Sequence, residues 1–189
     1  FYAASGSVCR RIEKGYVDTN KGGKMIRESI YRGKDRKDMI KILFVCHGNI
    51  CRSPMAQYYF QNLIDEKHLS HLFYVDSAAT STEEIGNPVH PGTRRRLAAA
   101  GIPCGSHRAR QMTRKDYRDF DYLIGMDSWN IRNMRSICGG DPDHKIFKLL
   151  DFTEKSRDVA DPWYTGDFDA TFQDVSRGCA GLLSRCLQE

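Results

Sequence analysis

The segment from Cys46 to Ser53 places a thiol, a glycine and an arginine within eight residues, reading Cys-His-Gly-Asn-Ile-Cys-Arg-Ser. It follows a β-rich run and precedes a helical pattern, which is where an α/β sheet presents ligands. The main-chain amides of such a loop can form a nest for an anion, and the helix N-terminus adds positive potential. Arg52 supplies a planar fork for two phosphoryl oxygens, and the same field stabilises the thiolate form of Cys46. The segment therefore predicts a nucleophilic cysteine beneath a bound phosphate.

Individual positions in this loop also fit a phosphate site. Gly48 has no side chain to block close approach, and Asn49 is one of the few non-glycine residues that tolerate a positive φ angle. The Ser53 hydroxyl can cap the next helix and ease departure of the Cys46 sulfur. Cysteine at a strand end is by itself usually a small buried residue, so the prediction depends on the whole pattern. The residues expected to surround the phosphate are His47, Gly48, Asn49, Ile50, Cys51, Arg52 and Ser53.

Four β-rich runs are available to position this loop. Residues 41–46 are typical of a strand buried on both faces, and further strands are predicted near residues 73–76, 122–126 and 145–150. Ser53 and Pro54 are predicted to be the N-cap and first residue of a helix. The other predicted helices cover residues 94–100, a short piece from 113, residues 128–137 and residues 168–186. Strands that alternate with helices predict an α/β fold, with a parallel sheet covered on both sides.

Composition excludes some classes of function. Of the 189 residues, 40% are hydrophobic and 28% are charged. No apolar run approaches the roughly 18 residues needed to span a bilayer, so membrane insertion is not expected. Seven cysteines, an odd number in a chain patterned for helices and strands, favour a reducing cytoplasm over a disulfide-stapled secreted fold.

Charge divides the chain into two parts. Residues 1–39 are a basic N-terminal extension of unknown role, and residues 40–189 are the predicted domain. The extension carries ten Lys/Arg and five Asp/Glu, so it accounts for the whole formal charge of +5. Its cations form no stripe and alternate with no aromatic platform, so nucleic-acid binding is not expected.

The segment Val45–Pro54 resembles the signature of the low-molecular-weight protein tyrosine phosphatases, and the similarity continues to the C-terminus. Similar segments follow in order at residues 76–80, 84–88, 101–103, 106–111, 120–124 and 161–164. The resemblance implies a three-layer sandwich, with a four-stranded parallel sheet of order 2-1-3-4 and helices on both faces. It implies hydrolysis of phosphotyrosine in proteins through a phosphocysteine intermediate, with Cys46 as nucleophile, Arg52 as phosphate clamp, and no metal or cofactor.

By this resemblance, Asp161 is the general acid, since expulsion of a phenolate at neutral pH profits from a positioned proton donor. An Asp-Pro pair is otherwise a common turn with no chemical role. Trp163 and Tyr164 are expected to line the mouth of a slot deep enough to select phosphotyrosine over the shorter phosphoserine. The alternative is that these aromatic side chains only pack on the core. A tyrosine kinase is a further candidate partner, acting on Tyr164.

The resemblance assigns supporting roles to two other residues, and the position of Cys51, five residues from Cys46, suggests a role for a third. Ser77 and His107 are expected to hold Asn49 in its conformation without acting as reagents. Cys51 is expected to form a disulfide with the oxidised nucleophile and so protect it, or else to be a small buried side chain.

Two positions depart from the family pattern and bear on substrate choice. His47 follows the nucleophile where a small or aliphatic residue is usual, and its imidazole adds positive charge when protonated. Glu83 stands where many members place an aromatic wall, and its charge is expected to disfavour acidic peptides.

Two rival functions share the same fold and loop. Arsenate reductases use the nucleophilic cysteine and then two further cysteines, but Cys104, Cys138, Cys179 and Cys186 are scattered along the chain. A phosphate-binding module without turnover is the other alternative, and the presence of Cys46, Arg52 and Asp161 argues against it.

Overall fold

The computed structural model describes residues 39–188, so the predicted extension, apart from residue 39, lies outside the described residues. The strands are β1 (Ile40–Cys46), β2 (Phe73–Ala79), β3 (Tyr122–Gly125) and β4 (Ile146–Lys148). The helices are α1 (Arg52–Glu66), α2 (Pro91–Ala99), α3 (Arg114–Asp119), α4 (Ser128–Cys138), α5 (Pro162–Thr165) and α6 (Phe168–Cys186). Short 3-10 turns cover Ser70–Leu72 and Leu149–Phe152.

The four strands form one parallel sheet of order β2-β1-β3-β4, which confirms the predicted fold. Strand β1 lies between two partners, and its apolar side chains alternate between the two faces because successive residues of a strand point in opposite directions. Leu43 and Val45 belong to the core cluster that includes Met134 of α4. Phe44 instead contacts Phe60 of α1, with ring centroids 5.8 Å apart. Helices therefore cover both faces, and β1 is the most enclosed strand.

Helix α1 begins at Arg52, two residues before the predicted first residue Pro54. The carbonyl of Cys51 already accepts the helical hydrogen bond from Met55 N, at 3.1 Å. The predicted N-cap role of Ser53 is therefore wrong. Its hydroxyl turns towards the Cys46 sulfur instead.

Strand β4 is shorter than predicted. It pairs only with Leu123–Gly125 of β3, so three residues, Ile146–Lys148, have ladder partners, and residues 149 and 150 enter a 3-10 turn. Helix α2 starts earlier than predicted, at Pro91, whose fixed φ angle suits the first helical turn. Among residues 39–188, every helix is too short or too polar to cross a membrane.

Candidate active site

Cys46 is the last residue of β1, and its sulfur has two hydrogen-bond partners. The side chain is buried, with the sulfur 3.1 Å from Ser53 Oγ. The main-chain N–H of Asn49 donates to the same sulfur at 3.3 Å. Donors directed at a sulfur favour its anionic form, so these contacts suit a thiolate.

The conformation of the loop is fixed by Asn49, which is fully buried and has a φ angle of 57°. This is the positive φ that the sequence predicted. Its amide nitrogen donates to Ser53 Oγ at 2.9 Å and to Ser77 Oγ at 2.8 Å. Its side-chain oxygen accepts from Arg110 N at 3.2 Å, and its carbonyl contacts His107 Nε2 at 2.8 Å. Every polar group of the Asn49 side chain thus has a partner, which offsets the strain of the left-handed backbone.

Two of these partners have a defined hydrogen-bond direction. Ser77 donates its hydroxyl proton to Gln57 Oε1 at 2.6 Å, which leaves its oxygen to accept from Asn49. Burial lowers the pKa of the His107 ring below its ordinary value, in spite of the Asn49 carbonyl, which favours the charged form. A neutral ring has one N–H, and its contact with that carbonyl requires the proton to be on Nε2.

Arg52 is buried between two carboxylates. Its Nη1 donates to Asp127 Oδ2 at 2.6 Å, and its Nη2 pairs with Asp161 Oδ2 at 2.5 Å. Burial alone would lower the pKa of the guanidinium, but the negative charges of Cys46, Asp161 and Asp127 raise it above its ordinary value. The guanidinium is therefore a permanent cation next to the sulfur.

The sequence analysis did not identify Asp127. Its other oxygen, Oδ1, accepts from Asn130 N at 2.6 Å, which caps α4. The available signal was an aspartate directly after a predicted strand and before a helix, at the carboxyl edge where the sheet presents ligands.

Asp161 precedes α5 and is held at both ends of its own segment. Its Oδ1 accepts from Trp163 N at 3.0 Å. The carbonyl of the preceding Ala160 accepts from the buried Thr171 hydroxyl at 3.0 Å, and Val159 N donates to Met126 O at 2.8 Å. The segment thus presents the carboxylate to Arg52, which places Asp161 beside the predicted phosphate site.

A pocket opens above the sulfur. Its lining residues are Cys46, His47, Gly48, Ile50, Cys51, Arg52, Glu83, Glu84, Asp161, Trp163 and Tyr164. Asn49, Ser53, Ser77 and His107 are not among the residues that line it. Binding of phosphate by Asn49 and Ser53 through their main-chain amides remains a prediction.

Aromatic and charged side chains form the rim of this pocket. Trp163 and Tyr164 are 60% and 85% exposed, so neither is a core residue. His47 Nε2 lies 3.1 Å from Glu83 Oε2, which ties the two unusual positions together. A Cβ at Gly48 would lie 3.0 Å from Cγ of Glu84, so a side chain there would require Glu84 to shift. Glu84, also missed from sequence, adds a second carboxylate to the rim.

The two cysteines of the loop differ in character. Burial, followed by the charges of Cys46 and Asp161, raises the pKa of Cys51 to about 12. Cys51 packs with Ile50 and Ala109, so it stays a thiol, whereas Cys46 has donors around its sulfur. This contrast favours Cys46 as the nucleophile.

The remaining described cysteines do not extend this site. Cys104 lies beside Tyr58, Cys138 lies near Arg114, and Cys179 is buried against α1. Neither these three nor Cys186, the fourth, lines the pocket. Within residues 39–188 there is also no cluster of His, Cys, Asp and Glu suited to a metal ion.

A cysteine at a strand end and an arginine paired with an aspartate thus line one pocket at the carboxyl edge of a parallel sheet. A family model described as low molecular weight phosphotyrosine protein phosphatase matches residues 41–189. The YfkJ phosphatase of Bacillus subtilis is 44% identical over 153 residues, which is 80% of this chain and 98% of that protein. The human low molecular weight phosphotyrosine protein phosphatase is 40% identical over 149 residues, 76% of this chain and 94% of its own. The chain belongs to this family of protein tyrosine phosphatases.

Solved structures agree with this assignment. The crystal structure of B. subtilis YfkJ matches with a TM-score of 0.78 at 43% identity, covering 83% of this chain and 98% of that one. A Drosophila arginine phosphatase matches with a TM-score of 0.70 at 28% identity, covering 78% and 98%. The fold therefore also accommodates an enzyme named for a different phosphorylated amino acid.

Proposed function

We propose that this protein hydrolyses phosphotyrosine in proteins through a phosphocysteine intermediate. The observation that carries the proposal is the position of Arg52, whose guanidinium pairs with Asp161 and lies beside the Cys46 sulfur. Arg52, the proposed phosphate clamp, thus lies next to both the proposed nucleophile, Cys46, and the proposed proton donor, Asp161. These are the three groups that this reaction uses.

In the first step, a phosphoryl oxygen replaces Asp161 on Nη2 of Arg52, and the released Asp161 carboxylate takes up a proton from solvent. The Cys46 thiolate attacks phosphorus, an S–P bond forms, and the P–O bond to the phenol breaks. Protonated Asp161 gives its proton to the departing oxygen, so the alcohol leaves neutral. Arg52 follows the oxygens as charge shifts in the transition state.

In the second step, Asp161 is a carboxylate and accepts a proton from water. The water oxygen attacks phosphorus, the S–P bond breaks, and inorganic phosphate leaves. The Ser53 hydroxyl, 3.1 Å from the sulfur, donates to the departing thiolate. Asp161 ends the cycle protonated and ready for the next substrate.

The rim supports a preference among phosphorylated peptides. Trp163 and Tyr164 offer an aromatic surface to the phenyl ring of phosphotyrosine. A phosphoserine side chain is shorter, so its phosphate is not expected to reach the loop at Cys46. Glu83 and Glu84 place negative charge at the mouth, so peptides with basic residues beside the phosphotyrosine are favoured over acidic ones. Tyr164 is exposed enough for a tyrosine kinase to modify it.

Cys51 is proposed to protect the nucleophile. Hydrogen peroxide oxidises the Cys46 thiolate to a sulfenic acid and is itself reduced to water. The Cys51 sulfur then attacks the sulfenic sulfur, a disulfide forms, and a second water leaves. Reduction by a dithiol restores both cysteines.

The decisive experiment measures hydrolysis of an aryl phosphate by the wild type, Cys46→Ser and Asp161→Ala in the presence of a chelator. Cys46→Ser is expected to abolish turnover. Asp161→Ala should slow it about 10²- to 10⁴-fold for poor leaving groups and much less for good ones. Phosphoarginine and thioredoxin-coupled arsenate reduction are run in parallel. Equal rates for the wild type and Cys46→Ser, or faster turnover of either alternative substrate, would contradict the proposal.

A further inference from the structure

His90, the residue before α2, lies where the phosphate-binding loop meets the acid segment. Its main-chain N–H donates to the carbonyl of Ile50 at 2.9 Å. Its ring nitrogen Nδ1 accepts from Gly92 N at 3.1 Å, which caps α2. The backbone of His90 is therefore tied to the phosphate-binding loop, and its ring is oriented by the hydrogen bond that caps α2.

The faces and edges of that ring contact two aromatic residues. His90 stacks on Phe168, with centroids 5.2 Å apart and planes 9° apart. It also meets Trp163 in an edge-to-face arrangement, with centroids 6.1 Å apart and an angle of 73°. Edge-to-face and stacked pairs at such distances are attractive.

The stack is firmly seated. A Cβ at Gly92 would lie 2.3 Å from Cζ of Phe168, so the Phe168 ring occupies the space that the glycine leaves. Phe168 also packs against the cluster of Ile50, Cys51 and Ala109. The support beneath the His90 ring is thus continuous with the phosphate-binding loop.

Trp163 depends on this support. It lines the pocket two residues after Asp161, yet it is 60% exposed. Within residues 39–188, the ring contact described for Trp163 is the one with His90. We propose that His90 is a positioning residue, whose ring holds Trp163 as a wall of the pocket and so sets the affinity for the aryl part of the substrate.

This inference rests on the proposed function and adds to it a specificity-determining residue. His90 has two separable roles, because the helix cap uses Nδ1 and the support of Trp163 uses the ring. His90→Asn keeps a capping side chain and removes the ring. His90→Phe keeps a ring and removes the cap. If His90 is only structural, inhibitor binding should change when the cap is lost, in His90→Phe. If it positions Trp163, inhibitor binding should change when the ring is lost, in His90→Asn.

The experiment measures competitive inhibition of aryl phosphate hydrolysis by benzylphosphonate and by inorganic phosphate. In His90→Asn the inhibition constant of benzylphosphonate should rise roughly three- to tenfold, the range expected for one aromatic pair. Inorganic phosphate should inhibit as in the wild type, because it does not reach Trp163. His90→Phe should keep both constants near those of the wild type while melting at a lower temperature.

A double-mutant cycle with Trp163→Ala completes the test. Trp163→Ala should raise the inhibition constant of benzylphosphonate. Adding His90→Asn should raise it no further, because the His90 ring acts through Trp163. Additive losses, equal losses in His90→Phe and His90→Asn, or a parallel loss for inorganic phosphate would overturn the inference. A wild type that cleaves no aryl phosphate would instead refute the proposed function, so the two failures are distinguishable.

Discussion

Asp161 and Arg52 form an ion pair, with Oδ2 and Nη2 2.5 Å apart, at the bottom of the pocket. Both partners have other contacts, since Asp161 also accepts from Trp163 N and Arg52 also donates to Asp127. A phosphoryl group needs the same guanidinium nitrogen. Substrate binding is therefore expected to compete with Asp161, the proposed general acid.

Removal of that competitor should strengthen phosphate binding. In Asp161→Asn, inorganic phosphate is expected to inhibit at a concentration about threefold or more lower than in the wild type, because a negative charge has left the site. Turnover of poor leaving groups should fall at the same time. The measurement is competitive inhibition at fixed ionic strength. Asp169→Asn, which removes an exposed carboxylate paired with Arg96, is the control, and equal gains in both variants would contradict the explanation.

Asp127 has two roles that substitution can separate. Asp127→Asn keeps a capping oxygen for α4 but removes the negative charge that pairs with Arg52. The value of kcat/KM should therefore fall about tenfold, which corresponds to roughly 1.4 kcal/mol for one charge-assisted hydrogen bond. Asp127→Ala also removes the cap and should cost about 1 kcal/mol more in unfolding free energy. Urea denaturation and aryl phosphate kinetics measure the two effects. Wild-type kinetics in both variants would show that Asp127 does not orient Arg52.

Stability should depend on the protonation of His107. Its pKa is lowered in the folded protein, mainly by burial, so the unfolded chain binds the proton more tightly. Its contribution to stability is therefore complete above the ordinary histidine pKa of about 6.5 and is lost as the pH falls from there towards the folded value.

Thermal melting between pH 7.5 and 5 tests this prediction. His107→Gln keeps a donor for the Asn49 carbonyl and has no titrating ring, so its melting temperature should fall less over that range. His68→Gln, at a residue distant in sequence from the phosphate-binding loop, provides a control. An identical pH dependence in the wild type and His107→Gln would contradict the prediction.

Cys51 should determine whether oxidation is reversible. After brief exposure to hydrogen peroxide, the wild type should recover its activity in dithiothreitol, whereas Cys51→Ser should remain largely inactive because Cys46 is oxidised beyond the sulfenic acid. Cys104→Ser is the matched control and should recover like the wild type. Mass spectrometry of the peptide that contains both loop cysteines identifies the product. Full recovery of Cys51→Ser would remove the protective role.

The sequence was sufficient for what depends on local pattern. The enclosed strand before Cys46, the positive φ of Asn49 and the sheet order follow from residue types, spacing and the resemblance. Hydrogen-bond partners of the site residues that come from distant parts of the chain could not be predicted from the sequence. Asp127 and Gln57 are ordinary residues in sequence and gain their roles only when strand ends and helices meet at one edge of the sheet.

The start of α1 shows the same limit. The sequence predicted two roles for the Ser53 hydroxyl, as a helix cap and as a partner of the Cys46 sulfur, and only the structure shows that the second contact forms and the first does not. The close approach of Glu84 to Gly48 likewise appears only in the folded structure, because the two residues are far apart in sequence.

The proposed nucleophile, Cys46, is part of the central sheet, whereas the residues at the rim of the pocket are not. Strand β1 has ladder partners on both sides as far as Val45, and Cys46 itself pairs with Ala79 of β2. The backbone that carries the proposed nucleophile is therefore expected to move only when this part of the sheet opens. Amide exchange in β1 should accordingly report global unfolding. Glu83, Trp163 and Tyr164 lie outside β1, so substitutions there are expected to alter substrate preference while the backbone that carries the sulfur stays in place.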